Sequence, residues 1–293
     1  PSGLREKDID AVIRVLKSGN LTMGEKVSQF ELAMSSYLGS NHFVMMNSGS
    51  SANLAMIEAL IRPTKGEPKL SPGDYVIVPS IAWPTTIWPL IQLGLRPLFV
   101  DVLRSTLELD LTGVEKVCDR LKGSVKGIFP IHPLGFGISS EDLLSISLKH
   151  NLVLINDVCE SLGSWQNSNH SGVAGIASSF SFYFSHHMTT MEGGGVATNS
   201  EDIYNDLKSI RSHGWSRDRN DIQDWDFQIH PSMQKFNFVS TGFNIRPMEI
   251  QAAVGLEQLD DLETFIKKRR SNVKAIAEAI DTNKIEILGH ESA

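Results

Sequence analysis

The sequence predicts an α/β protein: a mostly parallel sheet flanked by helices on both faces. Two observations carry this. Short apolar runs alternate along the chain with segments of helical spacing, and strands buried on both faces read as near-continuous apolar runs. Polar clusters then follow four of these runs, at Ser48–Ser51, Ser80–Thr86, Asp157–Ser161 and Ser185–His187. Ligands of open α/β sheets bind there, beyond the carboxyl ends of the strands.

The elements follow in order. A helical pattern over 24–37 precedes the strand HFVMMN (42–47), and another over 50–61 follows it. The strands YVIVPS (75–80) and RPLFVD (96–101) lead to a helix over 110–122 and the strand GIFPIH (127–132). A helix over 140–149 precedes NLVLIND (151–157). SFSFYF (179–184) and GGVATN (194–199) complete the strands, and 201–212 reads as a helix. Pro247 suits a first helical turn. Ile250, Val254, Leu259, Leu262 and Ile266 then recur at helical spacing, so one long helix is expected to about Ile280. A helix of that length connects two lobes, and 284–293 reads as the first strand of a second one. The expected division is a large domain over 1–245, with 246–293 as connecting helix and start of a C-terminal domain. That small domain is expected to be largely absent, the chain being a fragment.

Composition narrows the function classes. Of 293 residues, 41% are hydrophobic and 21% charged, and the net charge of −7 offers no broad basic field to nucleic acid or an anionic membrane. Basic spots remain at Arg211, Arg217 and Arg219 and in the run Lys267, Lys268, Arg269, Arg270, which reads as the solvated face of a helix. The longest apolar runs are too short to span a bilayer, and no signal peptide is visible. Cys118 and Cys159 are the only cysteines, which suggests reduced thiols in a cytoplasmic protein and is too few for a four-cysteine zinc or iron–sulfur site.

Four constellations carry chemistry. NSGSSANLAM (47–56) sets Gly49, Ser50 and Ser51 at a strand-to-helix junction. Free N–H groups and hydroxyls there suit a phosphate; a plain serine N-cap suits the same residues. The stretch lacks the Gly-Lys-Ser/Thr of a P-loop. Trp83, in PSIAWPTT (79–86), could stack on a planar cofactor or pack into a core. Asp157 ends a hydrophobic strand, with Glu160 after it. A carboxylate at a buried strand tip is costly unless paired; a protonated ring nitrogen or the cap of the next segment would each pair it. His186 and His187 follow SFSFYF. Adjacent side chains point apart, no HExxH spacing occurs, and metal ligation is not expected; nor is there a G-x-S-x-G elbow.

The order of these constellations resembles the sugar aminotransferase branch of the fold-type I pyridoxal-phosphate enzymes, the DegT/DnrJ/EryC1/StrS family. SGSSAN, GDYVIVPS, LRPLFVDV, NDVCESLGS, SFSFYF, EGGGVAT, IRSHG and GFNIRPMEIQAAVGLEQL match family blocks across nearly the whole chain. The resemblance implies the aspartate aminotransferase-like fold and pyridoxal 5'-phosphate or pyridoxamine 5'-phosphate (PLP, PMP) as cofactor. It implies that Gly49, Ser50, Ser51 and Ser181 hold the phosphate, Trp83 stacks on the ring and Asp157 keeps the ring nitrogen protonated. Glu160 stands where the aminotransferases have Gln and is assigned to the ring hydroxyl. Asn244 is assigned to the phosphate of a neighbouring subunit's cofactor, which implies a homodimer with shared active sites. His213 and Arg217 are assigned to substrate.

The family's cofactor-bearing lysine falls, by this alignment, at His186. Imidazole cannot hold the cofactor covalently, but it moves protons at neutral pH. The same replacement marks the family's keto-sugar 3-dehydratases. One kind carries an iron–sulfur cluster; the other has none and acts on GDP-4-keto-6-deoxymannose, with L-glutamate restoring PMP and ammonia released. With two cysteines, this chain resembles the second, a route to colitose in O-antigen lipopolysaccharide. His186 is then the catalytic base and His187 structural. The alternatives are a sugar aminotransferase of the same family and a non-catalytic protein that keeps the fold.

Overall fold

The computed structural model describes residues 3–166, 169–225, 233, 236–281, 284, 285 and 288. Its main sheet has seven strands: β1 (His42–Met46), β2 (Tyr75–Pro79), β3 (Arg96–Val100), β4 (Val125–Ile128), β5 (Val153–Asp157), β8 (Ala177–Ser181) and β9 (Gly194–Thr198). A small hairpin, β6 (Trp165–Gln166) and β7 (Asn169–His170), lies between β5 and β8 in the chain. The strand order is β1-β9-β8-β5-β4-β2-β3. All pairings are parallel except those of β9, which runs antiparallel between β1 and β8. The sequence therefore finds each of the seven strands, but not its bounds: β4 runs over Val125–Ile128 where 127–132 is expected. The strand expected over 179–184 is shifted back: β8 begins at Ala177 and ends at Ser181, where the turn begins.

The helices are α1 (Glu6–Ser18), α2 (Glu25–Leu38), α3 (Gly49–Ile61), α4 (Pro84–Gln92), α5 (Leu111–Leu121), α6 (Ser140–His150), α7 (Glu201–Ile210), α8 (Glu249–Asp260) and α9 (Leu262–Ala279). They cover both faces, and β1 shows why both must be covered. Val44 and Met46 pack with α3 and α7, whereas Phe43 and Met45 pack with α2 on the other side. At the far end of the sheet, α5 and α6 bury Ile77, Val125, Ile128 and Leu154. A strand buried on both faces cannot alternate with polar residues, so its sequence reads as one apolar run.

Two expectations are corrected. The long helix from Pro247 is two helices, α8 and α9, broken at Asp261. Asp261 accepts a bond from Arg5 and pairs with Lys7, so the break is tied to α1. Pro247 lies before the N-cap, Met248, not in the first turn. Most of the strand expected over 284–293 lies outside the described residues.

Glu249 opens α8 and serves α2. It is buried (3% exposed), and its carboxylate accepts from the N–H groups of Gly24, Lys26 and Val27 at 2.8, 2.9 and 2.9 Å. It fills the positive end of α2, where backbone donors have no helical partner. Glu249→Ala strands these donors and should destabilise the protein by about 1–3 kcal/mol, read from urea unfolding. A loss within experimental error would mean that water replaces the carboxylate. No described helix is long and apolar enough to cross a membrane.

Candidate functional site

The carboxyl ends of β1, β2, β5 and β8 lie along one edge of the sheet, and β9 begins there. Asp157, the last residue of β5, is 4% exposed. Its Oδ2 accepts from Thr86 Oγ1 at 2.7 Å and Asn53 Nδ2 at 3.0 Å, and its Oδ1 accepts from the Cys159 N–H at 3.1 Å. Among the described residues no lysine or arginine forms an ion pair with it. A buried carboxylate held by neutral donors, with no cation beside it, is set up to pair with one.

Asn53 and Thr86 lie within the stretches 47–56 and 79–86 but had no role of their own there, and a proline explains how they join the site. Pro89 stands inside α4, where it has no N–H to give to the carbonyl of Thr85. Asn53 Nδ2 donates to that carbonyl at 3.2 Å, as well as to Asp157. The helix defect and the strand-end carboxylate are thus bridged by one amide. The available signal was a polar residue on an otherwise apolar helical face: Asn53 between Ala52 and Ala55, and Thr86 beside Ile87.

The serine turn is both a cap and an open helix end. Ser48 caps α3, accepting from the Ser51 N–H at 3.1 Å. The first-turn N–H groups of Gly49 and Ser50 have no hydrogen-bond partner among the described residues. Such an end favours an anion. Ser181 closes against it: a Cβ on Gly49 would lie 2.5 Å from Ser181 Cβ and 3.1 Å from Cys159 Sγ. A Cβ on Gly194, where β9 starts, would strike the Ser48–Gly49 backbone. Only glycine at both positions lets the three turns meet.

His186 sits in the turn after β8, half-buried. Its N–H donates to Tyr183 O at 3.0 Å, and the Tyr183 ring lies edge-on at 5.9 Å. Burial holds its pKa below the ordinary histidine value, against the pull of the Glu160 and Asp157 carboxylates. Glu160 Oε2 accepts from the Leu134 N–H at 3.0 Å. His187 is pushed down to about 4 by burial and by the nearby Arg269. His132, deeper under the edge, is fully buried; it accepts from the Ile138 N–H at Nδ1, so its Nε2 carries the proton toward Asn156 Oδ1 at 3.1 Å.

The structure thus joins Gly49, Ser51, Ser181, Asp157, Glu160 and His186 at one edge, with Ser50 exposed there. Trp83 is the N-cap residue of α4, 71% exposed. Asn244 is exposed, bridged to Ser212 and accepting from Arg246 Nε at 3.1 Å. His213 is exposed, with a left-handed φ of 64°. Arg217 is held elsewhere: it stacks over Trp215 at 4.0 Å and lines a cavity with Asn41 and His42 at the amino end of β1. Among the described residues no group of three or more His, Cys, Asp or Glu side chains could hold a metal ion.

Known proteins resemble this chain in sequence and fold. The chain is 39% identical over 280 residues to a GDP-4-keto-6-deoxy-D-mannose 3-dehydratase of Yersinia pseudotuberculosis, covering 95% of this chain and 70% of that protein. The E. coli GDP-4-keto-6-deoxy-D-mannose-3-dehydratase with bound hydrated PLP superposes with a TM-score of 0.86 at 38% identity, over 94% of this chain and 70% of that one. A structure of that kind of dehydratase with a trapped PLP-glutamate geminal diamine matches at 0.86 and 37%, over the same shares of each chain. The family model of the DegT/DnrJ/EryC1/StrS aminotransferases matches residues 3–292. With its strand-end carboxylate, glycine-closed serine turn and mixed sheet, the chain belongs to the DegT/DnrJ/EryC1/StrS aminotransferase family.

Proposed function

We propose that this protein is a PLP/PMP-dependent 3-dehydratase. It removes the C3 hydroxyl of a nucleotide-linked 4-keto-6-deoxy sugar, GDP-4-keto-6-deoxymannose, uses L-glutamate to renew its amino group and releases ammonia. One observation carries the reading: in a member of an aminotransferase family, the turn over 182–192 holds no lysine and sets His186 within electrostatic reach of Glu160 and Asp157.

The residues fit the cofactor. The free amides of Gly49 and Ser50, with the hydroxyls of Ser51 and Ser181, would take its phosphate. The unpaired Asp157 carboxylate would take its protonated ring nitrogen, Trp83 its ring face and Glu160 its hydroxyl. When bound, the cofactor supplies an electron sink and an amino group for the sugar's keto carbon. Everything else falls to side chains. A half-buried His186 with a lowered pKa keeps a ring nitrogen unprotonated at neutral pH, ready to accept a proton. Glu160 and Asp157 stabilise the imidazolium that results, and that proton is then available to the departing 3-hydroxyl. His187, neutral and half-buried, is structural. Asn244 reaches the cofactor phosphate of a second copy, so the working unit is a homodimer, and His213 meets the sugar nucleotide; Arg217, held at the amino end of β1, has no part in this site. Residues 1–245 form the cofactor-binding domain and 246–293 lead into a C-terminal domain.

The test is direct. Full-length protein given GDP-4-keto-6-deoxymannose, PLP and L-glutamate should release ammonia and 2-oxoglutarate without iron or an electron donor. Borohydride treatment should leave no cofactor on any peptide from 181–195. An aminated sugar, no ammonia and a stoichiometric lysine adduct would make it an aminotransferase; no product at all would leave a binding protein.

A further inference from the structure

The basic run in α9 is not one solvated face. Lys267, Lys268 and Arg270 are exposed, but Arg269 is half-buried against the turn that carries His186. Its Nη2 donates to the His186 carbonyl oxygen at 3.0 Å. Its Nη1 is buried without a hydrogen-bond partner, and no carboxylate of the described residues forms an ion pair with it. A guanidinium placed for stability alone would have a carboxylate, because removing it from water without one is costly. Here the charge is drawn out of water for one bond, to the main chain of the site's histidine.

We propose that Arg269 is a positioning residue: through the His186 carbonyl it fixes the turn that presents the imidazole, and it makes the placing of His186 depend on how α9 is packed. The proposal rests on His186 being the base. At the Glu192 end the turn is also tied to α8, by Thr189 N–H to Gln258 Oε1 at 3.4 Å and Gln251 Nε2 to Glu192 O at 2.6 Å, while beside His186 run His186 N–H to Tyr183 O at 3.0 Å and, from α9, the Arg269 bond. Among the described residues, Glu160 and Asp157 from the end of β5 and Tyr183 and His187 from its own turn face His186, with Arg269 reaching the turn from α9 and His170 from β7 facing His187. Burial is what lowers the pKa of His186. A turn released from α9 admits water and lets that pKa rise toward the ordinary ~6.5.

NMR titration of histidine-labelled full-length protein reads this without turnover, with the His186 signal assigned by its loss in His186→Asn. Arg269→Met should raise the pKa of His186 and move the acid limb of the rate profile upward with it. Its kcat should fall on the order of 10²-fold, the scale of a misplaced catalytic group, with KM for the sugar unchanged. Arg269→Lys keeps one flexible donor and should show the same shift at smaller size. Lys268→Met, on the exposed side, should match the wild type. A folded Arg269→Met whose His186 titrates as in wild type overturns the proposal; should that variant not fold, an unshifted titration in Arg269→Lys does so. Absence of dehydration in the wild type would instead sink the proposed activity and leave the titration to decide the role of Arg269.

Discussion

His186→Asn should lower the rate of dehydration on the order of 10²–10⁴-fold, the usual cost of losing a general base, while the protein folds and retains its cofactor. Asparagine keeps the polar character of the half-buried site and removes the ring nitrogen that titrates. The bonds from the His186 N–H to Tyr183 O and from Arg269 to the His186 carbonyl use the main chain, which asparagine also has. The pH profile is a second signature. A base works only unprotonated, and burial holds the pKa of His186 below the histidine norm. Activity should therefore persist below pH ~6.5 and decline only as pH falls through the lowered value. His187→Asn is the control and should retain most activity. If instead His187→Asn abolishes dehydration and His186→Asn spares it, the base is His187. His186→Lys should replace loose retention of the cofactor by a borohydride-trappable adduct at position 186.

Asp157→Asn should release the cofactor. The present carboxylate accepts three bonds, two at Oδ2 and one at Oδ1. An amide has one oxygen, so its NH₂ must face either the Cys159 N–H or the Asn53 NH₂. Asn53 cannot relieve this by flipping, because the same NH₂ satisfies the Thr85 carbonyl that Pro89 leaves open. A donor against a buried donor costs about 1–3 kcal/mol. Loss of the countercharge to the ring costs more, about 2–5 kcal/mol for one member of a buried charge pair, or on the order of 10²-fold or more in affinity. Spectral titration with PLP measures it. Wild-type affinity in a folded Asp157→Asn protein would mean that Asp157 does not meet the ring.

Apart from β3 at the sheet edge, where only Val100 is buried, the strands were legible because burial on both faces removes the polar alternation that would blur them; the turns were legible because glycine and serine there have few other uses. Helix α4 was not. Its nine residues begin at Pro84 and contain Pro89, and by local preference such a stretch is a loop. It is helical because Ile87 and Leu90 pack into the core and because Asn53 satisfies the opened carbonyl. Both are tertiary effects without a local signature. The break at Asp261 was hidden for a like reason: apolar periodicity runs straight through it, and the partners that bend the chain, Arg5 and Lys7, are far away in sequence. Arg269 was misjudged with its neighbours because a run of like charges says nothing of which member turns inward.

The antiparallel strand β9 bears on the order in which the protein can be made. β1 pairs with β9 from His42 opposite Thr198 to Met46 opposite Gly194, so the earliest strand of this sheet in the chain waits for its latest. At typical translation rates that wait is roughly 10–30 s. Until then the nascent chain carries two unmatched strand edges, on β1 and β8, both lined with apolar side chains and both prone to pair with other chains. Closure of the serine turn against Ser181 and Gly194 comes in the same late step. A chain arrested before residue 194 would therefore hold Asp157 and His186 yet lack the cradle between them, and contacts so distant in sequence make the final closure slow.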